Sequence, residues 1–303
     1  MSVIVPNLLS NITSEFPDLE IEVWDYSTES SMATSIDRCT FYVPTYMSGL
    51  KAIEISKKMP KLEVVQLLTA GIDGVRSLIN DDITLCNAKG VHDAPTAELA
   101  VALALNARRG LNTFYRNQLS SRWTPNAYAS LADSKVLIVG YGSIGRAVEQ
   151  RLLPFEVEIT KVSRTKHQDT HSIDDLPVLL PDADIVILLV PLTSETRGFF
   201  NHKMFNAMKD GAILVNVARG PVVDTDDLVH ALKSRNIFAA LDVVDPEPLP
   251  SNHPLWQLDN CIITPHVGGN TTSFSRRAHE LVVENLTRYL KGQRLSNVVS
   301  GEY

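Results

Sequence analysis

The sequence predicts an α/β protein of two doubly wound parallel-sheet domains, on three observations. Short apolar runs of strand length alternate with helix-length intervals along most of the chain. At 303 residues the chain is longer than one core usually serves. A glycine triplet stands between an apolar run and a helical stretch in the second half, the place where such sheets turn a strand into a helix.

The first series of runs is Val3–Val5, Ile21–Trp24, Phe41–Val43, Val64–Leu68 and Leu85–Asn87. At Asp93-Ala94-Pro95-Thr96 the pattern changes: Asp93 can cap a helix, Pro95 suits its first turn, and Glu98 to Ala107 is apolar nearly all round. Such a helix is expected to be buried, between domains. From Leu111 to Leu131 the sequence reads as irregular yet carries Tyr115, Trp123 and Tyr128. An arm packing on another subunit and aromatics folding back on their own domain both account for that load.

A second, clearer series follows at Lys135–Val139, Glu158–Val162, Ile185–Val190, Ala212–Val217, Ala239–Val243 and Cys261–Thr264, giving an expected six-stranded sheet. A last amphipathic stretch, Ser275 to Leu290, with Leu281, Val282, Leu286 and Leu290 on one side, returns to the first unit and completes it. The expected division is 1–95 with 274–303, and 96–273.

Composition narrows the function. Hydrophobic residues at 44% and charged residues at 21% are those of an ordinary globular chain. A net charge of -7 without a Lys/Arg cluster excludes a nucleic-acid footprint. Met1 to Val5 reads as a buried strand and not a signal peptide, and no apolar run approaches membrane length, so a soluble, cytoplasmic protein without membrane partners is expected. Cys39, Cys86 and Cys261 read as buried free thiols. His167 and His171 are spaced for one helix face but have no third ligand nearby, so no metal is expected.

The chemistry is concentrated at strand ends. In Val136-Leu-Ile-Val139-Gly140-Tyr141-Gly142-Ser143-Ile144-Gly145, Gly140 permits the tight turn, Gly142 lets a pyrophosphate approach the backbone, and Gly145 lets helix and strand close up. The helix N-terminus then offers free N–H groups to phosphates, which is the Rossmann device for a dinucleotide. The next strand ends in Ser163-Arg164-Thr165-Lys166, without the carboxylate that would bind a ribose 2′-hydroxyl. Ser163 can donate to a 2′-phosphate while Arg164 and Lys166 neutralise it, so NADP(H) is preferred and NAD(H) is possible. Beyond later strands stand a guanidinium, a carboxylate and an imidazole: Arg219, Glu247 and His266.

With these residues in view, the chain resembles the D-isomer-specific 2-hydroxyacid dehydrogenase family from about Asp93 to Gly269, and touches it in the first unit. The stretches that carry the likeness are Gly140–Gly145, Pro191–Gly198, Asn216–Pro221, Ala240–Val243, Asp245–Pro248, Pro254–Trp256 and Thr264–Gly269. The resemblance implies a Rossmann cofactor domain with a dimerisation arm at about 108–132, a smaller flavodoxin-like substrate domain, and a homodimer. It implies that Arg219 binds the substrate carboxylate, His266 is the acid/base and Glu247 holds the imidazole. Asp242 would contact the nicotinamide carboxamide, and Pro191 to Thr193 would line the adenosine side. Tyr141, Ser143, Ile144, Thr165, Thr196, Val217, Ala218 and Gly268 complete the implied cofactor contacts, with Ala70 and Gly71 offering amides to the substrate carboxylate. Ser134 and Pro154-Phe-Glu156 depart from the family's glycines at two turns, and the Ser163-Arg164 pair is most similar to the NADPH-using glyoxylate and hydroxypyruvate reductases.

The implied reaction is hydride transfer between the cofactor and a small 2-oxo or 2-hydroxy acid. In reduction, protonated His266 gives its proton to the carbonyl oxygen, and Glu247 favours the imidazolium. Two other readings share the fold: a dinucleotide-sensing corepressor-like binding protein, and a formate- or phosphite-type dehydrogenase. Glu247 speaks against the formate type, which carries an amide at the equivalent point.

Overall fold

The computed structural model describes residues 1–27, 31–166 and 169–300. The chain divides into two units, Met1–His92 with Thr272–Tyr303, and Asp93–Thr271. Each has its own parallel sheet.

The first unit holds β1 (Ser2–Val5), α1 (Ile12–Glu15), β2 (Glu20–Val23), β3 (Cys39–Tyr42), α2 (Leu50–Glu54), β4 (Val64–Gln66) and β5 (Thr84–Cys86). The strand order is β2-β1-β3-β4-β5, every pair parallel. Strands β1 and β3 are buried on both faces, which is why they read as unbroken apolar runs, whereas the edge strand β2 is partly exposed.

The second unit runs α3 (Asp93–Arg109), α4 (Leu111–Leu119), β6 (Lys135–Val139), α5 (Ser143–Leu152), β7 (Glu158–Ser163), β8 (His171–Ser172), α6 (Leu176–Leu179), β9 (Ile185–Leu188), α7 (His202–Ala207), β10 (Ile213–Asn216), α8 (Thr225–Ser234), β11 (Phe238–Leu241) and β12 (Cys261–Ile263). Its order is β12-β11-β10-β9-β6-β7-β8, all parallel. Seven strands replace the expected six: β8 pairs only Val162 with His171 and Ser163 with Ser172, too short for any periodicity to announce. The strand order reverses between β9 and β6, the switch point where a ligand crevice opens beyond the strand ends.

Alternation along the strands builds two cores. Leu137, Val139, Val186, Leu188, Leu214 and Leu241 face one side, and Val136, Ile138, Ile185, Ile187, Ile213 and Val215 face the other, with Ala97, Ala100, Val101 and Ala104 of α3. Each such aliphatic side chain contributes about 1.5–3 kcal/mol by leaving water.

Two further expectations need correction. The stretch after Arg109 is irregular only from Ser120 onward: Gly110, at φ +61°, ends α3, and α4 restarts at once. Its aromatics divide. The Tyr128 ring packs edge-on against Phe114, with centroids 5.3 Å apart, while Tyr115 and Trp123 are 60% and 97% exposed. The terminal helix α9 (Phe274–Leu290) buries Phe274, Ala278, Leu281, Val282, Asn285 and Leu286 in the first unit, but Leu290 lies off that face and is exposed. Tyr289 takes its place, its ring tilted against Phe41 with centroids 5.5 Å apart and its hydroxyl donating to Glu63 Oε2 at 2.9 Å. At the turn before β7, Glu156 adopts φ +59°, the left-handed region that a glycine would take without strain. His167 lies outside the described residues, and His171 stands on β8 with Nδ1 3.7 Å from Asp175 Oδ2. Among the described residues no group of His, Cys, Asp and Glu fits a metal, and no helix is long and apolar enough to cross a membrane.

Candidate active site

The glycines of the fingerprint are required by backbone geometry. A side chain at Gly140, φ +101°, would meet the Leu189 carbonyl carbon at 2.6 Å, so this turn passes directly over the chain leaving β9. At Gly145 the same substitution would come within 3.0 Å of Gly140 O, closing α5 onto its strand. Gly142 is different: nothing lies within 4 Å of the position its Cβ would take, and α5 begins there without a side-chain cap. An uncapped helix start facing open space suits a pyrophosphate, so the fingerprint fits a dinucleotide. Tyr141 follows the turn, its hydroxyl donating to Glu149, with Lys161 Nζ 5.1 Å from the ring centroid. Burial, and then the bond to Glu149, pushes that phenol up to about 12, so it stays a donor. Ser143 and Ile144 begin the helix itself.

At the end of β7, Ser163 Oγ donates to Thr165 O at 2.7 Å and shares a hydrogen bond with Thr170 Oγ1 at 2.8 Å. The Ser163 hydroxyl thus shapes the turn that carries Arg164. Arg164 and Lys166 are exposed, and neither has an ion-pair partner among the described residues. The turn after β9 is closed by Thr196, whose hydroxyl donates to Pro191 O at 2.6 Å and accepts from Thr193 N at 2.8 Å.

The loops after β10, β11 and β12 form one connected construction. Asn216, 1% exposed, accepts from Ala218 N at 3.0 Å and donates to Arg219 O at 3.0 Å, so it holds the Val217-Ala218-Arg219 turn at both ends. The Arg219 guanidinium donates to Ala218 O at 2.7 Å. Next to it, a Cβ on Gly220 would stand 1.9 Å from Val244 O, which only glycine tolerates. This contact fixes the Arg219 turn against the strand of chain leading to Glu247.

Glu247 and His266 meet directly, with Nδ1 2.6 Å from Oε1. An ionised carboxylate can only accept, so Nδ1–H donates a hydrogen bond to it, which leaves Nε2 as the atom available for chemistry. His266 itself is held at φ +53°, an unusual conformation for a residue with a side chain. The restraint is Asp242, 3% exposed: its backbone O accepts from His266 N at 2.8 Å, Oδ1 accepts from Thr264 Oγ1 at 2.6 Å and Val267 N at 2.9 Å, and Oδ2 accepts from Gly268 N at 2.8 Å. Asp242 therefore organises the whole Thr264–Gly268 turn. Ala70 and Gly71 lie in the other unit, half-buried in the loop after β4. Asn216, Gly220 and Thr264 were not singled out from the sequence as site residues. A polar residue closing a buried strand was the available signal for Asn216.

An uncapped helix beyond a glycine turn at the switch point, with a carboxylate-held imidazole after a later strand of the same sheet, fits a nicotinamide-dinucleotide-dependent oxidoreductase. Residues 101–268 match the model of the D-isomer specific 2-hydroxyacid dehydrogenase NAD binding domain. A glyoxylate reductase/hydroxypyruvate reductase from Homo sapiens is 32% identical over 295 residues, covering 91% of this chain and 89% of that protein. A glyoxylate reductase from Thermofilum pendens is 35% identical over 264 residues, covering 82% and 78%. A D-isomer specific 2-hydroxyacid dehydrogenase from Xanthobacter autotrophicus Py2, solved with NADPH and MES, superposes with a TM-score of 0.84 at 27% identity over 99% of this chain and 98% of that one. The chain belongs to the D-isomer-specific 2-hydroxyacid dehydrogenase family. It is an NAD(P)-dependent 2-ketoacid reductase.

Proposed function

We propose that the protein reduces glyoxylate, hydroxypyruvate or a similarly small 2-oxo acid to the 2-hydroxy acid, with NADPH preferred over NADH. The observation that carries this reading is the His266–Glu247 pair at 2.6 Å, with Asp242 after β11 holding the His266 turn after β12. The Homo sapiens and Thermofilum pendens relatives bear the names of such reductases. This favours reduction over the corepressor-like and formate- or phosphite-type alternatives.

When bound, the reduced nicotinamide would supply a hydride to the carbonyl carbon of the substrate. As charge gathers on the carbonyl oxygen, His266 gives that oxygen the proton held at Nε2. Glu247 keeps the ring oriented through Nδ1 and stabilises the imidazolium. Arg219 offers a planar fork to the substrate carboxylate, and the Ala70 and Gly71 amides are a second set of donors for it. Gly140, Gly142 and Gly145 make room for the pyrophosphate, flanked by Tyr141, Ser143 and Ile144, with Pro191, Thr196, Val217, Ala218, Asp242 and Gly268 along the remainder of the cofactor. Arg164 and Lys166 supply charge to a 2′-phosphate, on the Ser163–Thr165 turn.

Residues 1–95 with 274–303 serve the substrate, and 96–273 the cofactor. The exposed Leu111, Tyr115, Leu119 and Trp123 of the 108–132 arm support a homodimer built through it. Three free thiols suit the cytoplasm. Turnover of a 2-oxo acid panel with each cofactor tests the reading: glyoxylate or hydroxypyruvate with NADPH should give the highest kcat/KM. Tight cofactor binding without turnover of any 2-oxo acid would refute it.

A further inference from the structure

The loop after β4 has every carbonyl pinned. Leu68 O accepts from His92 Nε2 at 2.9 Å, Thr69 O from Ala88 N at 2.8 Å, Ala70 O from Asn87 Nδ2 at 2.9 Å, and Gly71 O from Thr69 Oγ1 at 2.9 Å. A peptide is planar, so holding the carbonyl of one residue also fixes the N–H of the next, pointing the opposite way. His92 thereby sets the Thr69 amide, Ala88 N sets that of Ala70, and Asn87 sets that of Gly71. The N–H groups of Thr69, Ala70 and Gly71 have no acceptor among the described residues, although all three residues are half-buried. Buried or half-buried amides without acceptors are costly unless something negative meets them.

His92 is itself held firmly. Its ring is 8% exposed and stacks on Phe274, with centroids 5.1 Å apart and planes 12° apart, and on Tyr46 at 6.0 Å and 20°. A carbonyl can only accept, so Nε2 carries the hydrogen in this contact. Asn87 is fixed in its turn by its own backbone, whose N–H donates to Asn297 O at 3.1 Å and whose C=O accepts from Gln66 Nε2 at 3.2 Å.

We propose that His92 and Asn87 are positioning residues that aim the Thr69–Gly71 amides at the substrate carboxylate. The inference rests on the functional reading above, in which Ala70 and Gly71 receive that group. Neither side chain touches the reacting atoms.

The test uses the full-length protein and three variants. His92→Phe keeps an aromatic ring for the stack and removes the donor, His92→Gln returns a donor, and Asn87→Leu removes the other donor at similar volume. Losing one such bond should raise the glyoxylate KM roughly fivefold to tenfold in His92→Phe and in Asn87→Leu. Fluorescence titration should show NADPH affinity unchanged in both, and His92→Gln should recover most of the KM. Should His92→Phe fail to fold, Asn87→Leu alone carries the test. An unchanged KM in the folded variants, or KM and NADPH affinity worsening together, overturns the inference and leaves the functional reading intact. If the unaltered protein reduces no 2-oxo acid, that reading fails instead. Calorimetry with oxalate then decides about the loop: weaker binding to the variants supports it, and no difference or no binding overturns it.

Discussion

Replacing Glu247 by Gln removes one negative charge while keeping an oxygen that can accept from His266 Nδ1, so it isolates what the charge contributes. The two groups are 2.6 Å apart and their side chains are 35% and 41% exposed, so water screens much of the attraction. With the permittivity of water, two unit charges at that distance interact by about 1.6 kcal/mol, and charge-assisted hydrogen bonds reach about 3 kcal/mol. Those limits correspond to a loss of about 10- to 10²-fold in kcat for reduction, provided that the imidazolium is the proton donor. Glu247→Leu removes orientation as well and should lose more. Steady-state loss of reduced-nicotinamide absorbance, measured with saturating cofactor and substrate, gives kcat for both variants. A Gln variant with the rate of the unaltered protein would refute the reasoning.

Three further outcomes are expected. Arg164→Ser with Lys166→Ser should lower kcat/KM for NADPH roughly tenfold and leave NADH unaffected, since only the former has a 2′-phosphate to lose contact with; equal losses for both cofactors would contradict the assignment. Gly220→Ala forces a methyl group to within 1.9 Å of Val244 O, so it should cost about 1–3 kcal/mol by urea unfolding and lower kcat/KM by roughly 10²-fold, whereas a fully active, equally stable variant would show that the two turns need no such contact. Burial raises the Asp184 carboxyl, but the Lys209 ammonium, the Lys135 N–H and Arg108 outweigh it and hold the group below its ordinary range. A lowered folded value means stability that is present above the unfolded carboxyl range and lost as pH falls. Asp184→Asn should therefore cost about 1–3 kcal/mol near neutral pH, with the gap to the unaltered protein closing below about pH 4, and a gap constant with pH would contradict this.

Much of the architecture was legible because the constraints that fix it act locally. Strands such as Ile185–Leu188 and Ile213–Asn216 are buried on both faces, so they appear as continuous apolar runs, and Gly145 is demanded by its contact with Gly140 O within the same turn. What escaped is either short or long-range. The β8 strand has two residues, and α4 is a polar-faced helix whose start depends on the left-handed turn at Gly110. In the site, Arg219, Glu247 and His266 announced themselves by residue type at strand ends. Asp242 was expected to serve the cofactor, and only coordinates reveal its bonds to Thr264, Val267 and Gly268. Asn216, His92 and Asn87 act through main-chain carbonyls and amides, and no pattern of side chains encodes such partners.

Nε2 of His266 is the proton source on which every other role in the site depends, and His266→Asn tests that most directly. Single-turnover reduction of glyoxylate by the NADPH-loaded variant should be slower by about 10²–10⁴-fold, with NADPH bound as tightly as before. Reduction at the original rate, or a loss that disappears once the variant is saturated with NADPH, would contradict it.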